Sequence, residues 1–262
     1  MSKIIAVAVP KGGVGKTATS VNLSASLAVA EKKTLIIDFD VSAACSTNFG
    51  YDSENIHGDI FDVLSFKTHI SKVIHPTALQ NLDIIPADFS NFEREDRLNI
   101  LTNNVNVFKN ILRSEQLTKY DYIIIDCAPT TKGTTKIALA VSDSVIIPVK
   151  AGQFSLLALK KMIKSLQYIK AGMNQKLEIE GILLTMFESN TKVWNLTYDE
   201  LKQNFGQYLF TKIIPKNISI TESEFYSKPA ILFNAKAKGA LAYLQLAHEI
   251  IEKELPKDKK SK

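Results

Sequence analysis

Seven residues near the start of the chain, Lys11-Gly12-Gly13-Val14-Gly15-Lys16-Thr17, combine the parts needed to hold a polyphosphate. Glycines let a backbone take positive φ and turn its N–H groups onto anionic oxygens. A lysine followed by a hydroxyl at the end of such a loop supplies charge for the β- and γ-phosphates and a ligand for Mg²⁺. Lys16 and Thr17 stand in those places, with Ala18 next in line. A helix opening at Lys16 would add its N-terminal dipole. The strict loop pattern begins with a glycine, and here Pro10 occupies that position. The bland alternative is a glycine-rich turn that merely joins a strand to a helix.

Two acidic positions could complete a phosphate site. Asp38-Phe39-Asp40 closes one apolar run, and Asp126 closes Tyr122-Ile123-Ile124-Ile125. A carboxylate at the C-terminal end of a strand beside a phosphate loop lies where open α/β sheets bind ligands. In that place Asp126 would accept hydrogen bonds from water on Mg²⁺.

Such groups need a scaffold, and the hydropathy pattern describes one. Apolar runs recur at 4–9, 34–37, 82–85, 122–125, 144–149, 182–184 and 213–214, the first of them continuous. Runs apolar on both faces fit strands buried in a parallel sheet. Helix-length segments lie between them. Residues 155–170 place Leu156, Leu159, Ile163, Leu166 and Ile169 at helical spacing. Alternating strands and helices predict one doubly wound, mostly parallel α/β domain over residues 1–255. A basic tail at 256–262 reads as disordered.

Composition sets the outer limits. The chain has 262 residues, 45% apolar and 23% charged, long enough for a core without disulfides. Two cysteines, Cys45 and Cys127, exclude a disulfide scaffold and a four-cysteine metal site, and both read as small buried fillers. The four histidines show no ligand spacing and read as surface or satisfied core residues. The apolar run at residues 4–9 is too short for a signal peptide, so the cytoplasm is the expected location. Net charge is +5, and residues 190–262 carry 12 lysines against 8 acids, +4 of it. That balance favours an anionic partner.

The lysine that opens the loop, Lys11, marks the deviant Walker A motif of the ParA/MinD superfamily. The chain resembles ParA/Soj partitioning ATPases over nearly its whole length. Gly181-Ile182-Leu183-Leu184-Thr185-Met186-Phe187, Ile214-Pro215-Lys216-Asn217, Lys228-Pro229 and Lys238-Gly239-Ala240-Leu241-Ala242-Tyr243-Leu244 carry the likeness in the second half. The resemblance implies a P-loop NTPase that takes ATP and Mg²⁺ and hydrolyses ATP slowly until a ParB-like partner stimulates it. It implies an ATP-dependent sandwich homodimer, with Lys11 crossing to the other subunit's phosphates. Asp40 would orient the attacking water, and Asp38 would support the Mg²⁺ shell with Thr17 and Asp126. Met186, Pro215 and Asn217 would lie at the base. Non-specific DNA binding, and with it association with the nucleoid, would fall to Lys202, Lys212, Lys216, Lys236 and Lys238. Lysine point charges suit sequence-blind phosphate contact; a solvated lysine-rich surface is the alternative.

Two departures bear on that reading. Relatives usually continue Asp-Pro-Gln where this chain has Asp40-Val41-Ser42, and often carry an arginine where it has Ser219. An ATP-binding scaffold that hydrolyses poorly therefore stays open, as does a MinD-like positioning ATPase. MinD proteins end in an amphipathic membrane helix. Here Leu241, Leu244, Ala247 and Ile251 form a stripe expected to pack on the core, and the chain after Pro256 has no apolar face.

Overall fold

A computed structural model describes residues 2–88, 105–188 and 191–254. The tail at 256–262 and two of the three arginines, Arg94 and Arg97, lie outside the described residues. Among the described residues seven strands form one sheet: β1 (Lys3–Val7), β2 (Thr34–Phe39), β3 (His75–Pro76), β4 (Leu82–Ile85), β5 (Tyr122–Cys127), β6 (Ser144–Lys150) and β7 (Glu178–Thr185). Their order is β3-β4-β2-β5-β1-β6-β7. All pairings are parallel except β3 with β4.

Strand periodicity explains the two layers. Ile4, Leu35, Ile37, Ile123, Ile125, Val145 and Ile147 face one core, covered by helices that include Gly133–Val141, Gln153–Gly172 and Lys192–Phe205. Ile5, Val7, Ile36, Ile124, Ile146 and Leu183 face the other, covered by helices Lys16–Val29 and Lys238–Glu254. Alternate residues of one strand thus feed opposite cores, which is why the runs read as continuously apolar. Cys45 and Cys127 are fully buried among these side chains.

The structure corrects three expectations. Ile213-Ile214 belongs to no strand. Residues 209–216 instead follow the outer edge of β7 through two isolated bridges, Ile182 with Leu209 and Phe187 with Pro215. Pro215 has no N–H to donate, so a regular ladder stops there. In the last helix the buried face is Ala242, Tyr243, Leu246, Ala247 and Ile250, while Leu241 is exposed. The apolar stripe is therefore rotated by about one residue from the expected one. His75 is buried, and its Nε2 has no hydrogen-bond partner, so it is not a satisfied core histidine. Among the described residues no helix is long and apolar enough to cross a membrane.

Candidate functional site

The loop between β1 and helix Lys16–Val29 lies at the C-terminal edge of the sheet's central strands. Gly13 has φ 66° and Gly15 φ 81°, a region that side-chain-bearing residues rarely enter. Gly12 does not share that conformation, so two glycines rather than three supply the positive φ. A Cβ built on Gly12 or Gly13 would meet nothing within 4 Å, so the loop's outer rim is open to a ligand.

Lys16 is 7% exposed, and its Nζ donates to the Lys11 carbonyl at 3.1 Å. Burial pulls its pKa down, against the attraction of Asp126 and Asp40. Thr17 Oγ1 donates to Asp126 Oδ2 at 2.8 Å, and Ser20 Oγ donates to Asp126 Oδ1 at 2.7 Å. Sequence reasoning missed Ser20. It sits one helical turn beyond Lys16, and that spacing was the available signal.

Asp38 and Asp126 are register partners on β2 and β5, and both are fully buried. Burial and the Asp126 charge push the Asp38 carboxyl well above the usual range. Burial also raises Asp126, opposed by its hydrogen bonds from Ser20 and Thr17. Asp38 is heavily engaged within the chain. Its Oδ1 accepts from the Asp40 N–H at 3.1 Å, and its Oδ2 accepts from the Ser46 N–H and hydroxyl at 2.9 and 2.8 Å. Asp40, half-buried, accepts from the Ser42 N–H at 3.0 Å. Val41 and Ser42 therefore still support an Asp-headed turn that fixes the Asp40 carboxylate.

Lys11 points the other way. Its Nζ lies 5.8 Å from the ring centroid of Phe154, itself 76% exposed. The signature lysine is thus held outward rather than folded into its own loop.

Beside the loop opens a cavity of about 560 Å³. Gly15, Ala18, Met186, Pro215 and Asn217 line it, so five of the eleven expected nucleotide contacts, including all three expected at the base, border one space. Met186 takes φ 54°, an uncommon backbone for its type that carries its side chain to Gly15. Trp194 closes one wall, its ring 4.4 Å from that of Phe187. Asn217 Oδ1 is buried without a partner. Thr221, Glu224 and Tyr243 also line the cavity and were not foreseen, because they come from helices remote in sequence from the loop.

The five lysines expected at DNA are separated. Lys202 is on helix Lys192–Phe205, which covers one face of the sheet. Lys238 opens helix Lys238–Glu254 on the opposite face. The Lys212 backbone bonds Glu249, about 16 Å along that helix from Lys238. Lys216 lines the cavity and pairs with Glu188 at 2.5 Å. Lys236 and Lys238 are exposed neighbours.

A parallel sheet with this loop after β1, and acids ending β2 and β5, defines the class: a P-loop nucleotide-binding α/β protein. Comparison with known proteins sharpens it. A family model described as an AAA domain matches residues 2–179. The chain is 37% identical over 257 residues to the chromosome partitioning protein ParA of Myxococcus xanthus, covering 98% of this chain and 90% of that protein. It is 35% identical over 250 residues to the sporulation initiation inhibitor protein Soj of Bacillus subtilis, covering 95% and 98%. A solved structure of a putative plasmid partition protein from Borrelia burgdorferi, bound to AMPPNP, superimposes with a TM-score of 0.77 at 26% identity, covering 97% of this chain and 100% of that one. The chain belongs to the ParA/Soj family of chromosome-partitioning ATPases.

Proposed function

We propose that the chain binds ATP with Mg²⁺, pairs through it into a homodimer that holds DNA non-specifically, and resets by hydrolysis when a ParB-like partner engages it. The observation that carries this reading is the constellation at the end of the sheet. Lys16, the Thr17–Asp126 pair and the fixed Asp40 carboxylate surround one open loop.

The donor set fits Mg²⁺. A hydroxyl and two buried carboxylates are hard oxygen groups, and two acids one strand apart create a charge that a divalent cation relieves. Bound there, Mg²⁺ supplies charge neutralisation for the β- and γ-phosphate oxygens. Thr17 and Asp126 would hold it, and Asp38 would support its shell through charge and through the Asp40 turn. The apolar walls at Met186 and Pro215 and the orphaned Asn217 acceptor suit a nucleobase.

Phosphoryl transfer to water leaves the protein little covalent work, so positioning and charge carry the rate. Asp40 orients the water. Lys16 stabilises charge on the transferring group, joined by Lys11 from the second subunit. Among the lysines, Lys236 and Lys238 are the pair we assign to DNA phosphates, because they are exposed and adjacent. The chain acts in the cytoplasm and joins the nucleoid when ATP-bound.

Light scattering with a non-hydrolysable ATP analogue tests the switch. The wild type should double in mass, and Lys11→Ala should bind the analogue yet stay monomeric. DNA affinity should then require the analogue and fall steeply with salt, by about 0.9 log units per log unit for each phosphate neutralised. A Lys11→Ala protein that dimerises as well as the wild type would overturn the assignment of that lysine. A wild type that resets no faster than Asp40→Ala, with DNA and partner present, would make it a scaffold and not a cycling ATPase.

A further inference from the structure

The sheet stops holding β2 just where its acids begin. Pairing with β4 ends at Ile37 with Ile85, and pairing with β5 ends at Phe39 with Cys127. Past those last rungs two buried hydroxyls take over. Ser46 Oγ donates to Asp38 Oδ2 at 2.8 Å and accepts from the Ala87 N–H at 2.9 Å. It thus joins β2 to the chain beyond β4 one residue after their ladder ends. On the other flank, Thr134 Oγ1 donates to the Phe39 carbonyl at 3.0 Å. Thr134 lies in the first turn of helix Gly133–Val141. Its neighbour Thr135 donates to the Ala128 carbonyl at 3.1 Å, two residues past Asp126.

The Phe39 carbonyl and the Asp40 N–H belong to one peptide unit, and that unit is planar. Thr134 holds its oxygen, and Asp38 Oδ1 holds its N–H at 3.1 Å. Ser46 in turn fixes the other oxygen of Asp38. A plane pinned on both edges cannot turn, so the position of the Asp40 Cα is set before its side chain is placed. The Ser42 N–H then holds the carboxylate. Through Thr135 and Ala128 the same helix turn is tied to the loop after Asp126, which keeps the two acids in step. The need to satisfy buried polar groups would explain either hydroxyl singly. It does not explain why two of them, from opposite flanks, secure one peptide unit. Misplacing a reacting group by about 1 Å can cost about 10² in rate, so this unit is a sensitive one.

We propose that Ser46 and Thr134 are positioning residues for hydrolysis, which act by fixing the peptide unit in front of Asp40. The inference rests on the reading of Asp40 as the group that orients the water. Phosphate release by the full chain with Mg²⁺ and saturating ATP, beside calorimetry with a non-hydrolysable ATP analogue, separates the two claims. Thr134→Val keeps the side chain's shape and removes its hydroxyl. Its kcat should fall by about 10- to 100-fold, with KM and analogue affinity unchanged. Thr134→Ser, which returns the hydroxyl, should restore the rate. Ser46→Ala should show the same split, and is the second route should the valine variant fold poorly. In an Asp40→Ala background neither change should slow hydrolysis further, because no carboxylate is left to misplace. Wild-type turnover in Thr134→Val and Ser46→Ala overturns the proposal. So does a loss that adds in full to that of Asp40→Ala, or one that takes analogue affinity down with the rate. An Asp40→Ala protein that hydrolyses ATP as fast as the wild type overturns the reading of Asp40 itself.

Discussion

The two ends of the candidate nucleotide site are built on opposite principles. At the phosphate end the acidic side chains are bonded in advance: Asp126 to Thr17 and Ser20, Asp38 to Ser46 and Asp40, and Asp40 to Ser42. At the base end Met186, Pro215 and Trp194 give apolar walls, Lys216 at the rim pairs with Glu188, and Asn217 Oδ1 is left buried without a partner. Pre-bonded groups fix geometry before a ligand arrives, which suits a reaction that depends on positioning. Unpartnered groups instead reward the ligand that satisfies them, which suits selection.

Four substitutions test that contrast. Asp40→Ala should leave nucleotide affinity intact and lower phosphate release by about 10²- to 10⁴-fold, the range for a positioned acid–base group. Parallel losses of binding and turnover would show that the acid serves both ends. Lys16→Ala should weaken ATP binding by about 2–4 kcal/mol in calorimetry, with the circular dichroism spectrum unchanged. Gly181→Ala strikes the base end through the scaffold. Its new Cβ would sit 2.6 Å from Phe210 Cδ2 and displace the 209–216 segment that carries Pro215 and leads into Asn217. Chemical denaturation should show a loss of about 1–3 kcal/mol. ATP affinity should drop while tripolyphosphate affinity holds; equal losses would mean that the two ends are mechanically joined. Asn217→Ala should cost ATP binding about 1 kcal/mol and leave turnover at saturating ATP unchanged.

The same contrast explains which parts of the site are legible in the order of the residues alone. The phosphate end is readable because its parts are local: Lys11 to Thr17 in one loop, and acids at the ends of apolar runs. The register that makes Asp38 and Asp126 neighbours needs only the parallel sheet. Ser46 is not readable, because it reaches Asp38 through a short turn with no periodic signal. The base end is half readable. Met186, Pro215 and Asn217 enter through a family resemblance, whereas Glu224 and Tyr243 meet them only after two helices fold onto one sheet edge. The separation of Lys202 from Lys238 is hidden for a related reason. Charge can be counted along a chain, but the face of the sheet that each lysine occupies depends on the layer its helix covers.

Trp194 gives the cavity an optical consequence. It is the one tryptophan in the chain, and its indole forms part of the cavity wall against Phe187. The intrinsic emission of the whole molecule on excitation at the red edge of the absorption band therefore comes from this wall alone. An aromatic guest entering the cavity would alter the polarity and quenching around the indole, while a guest lacking a ring would leave its spectrum nearly as it was. The molecule carries its own unlabelled reporter of what the cavity holds.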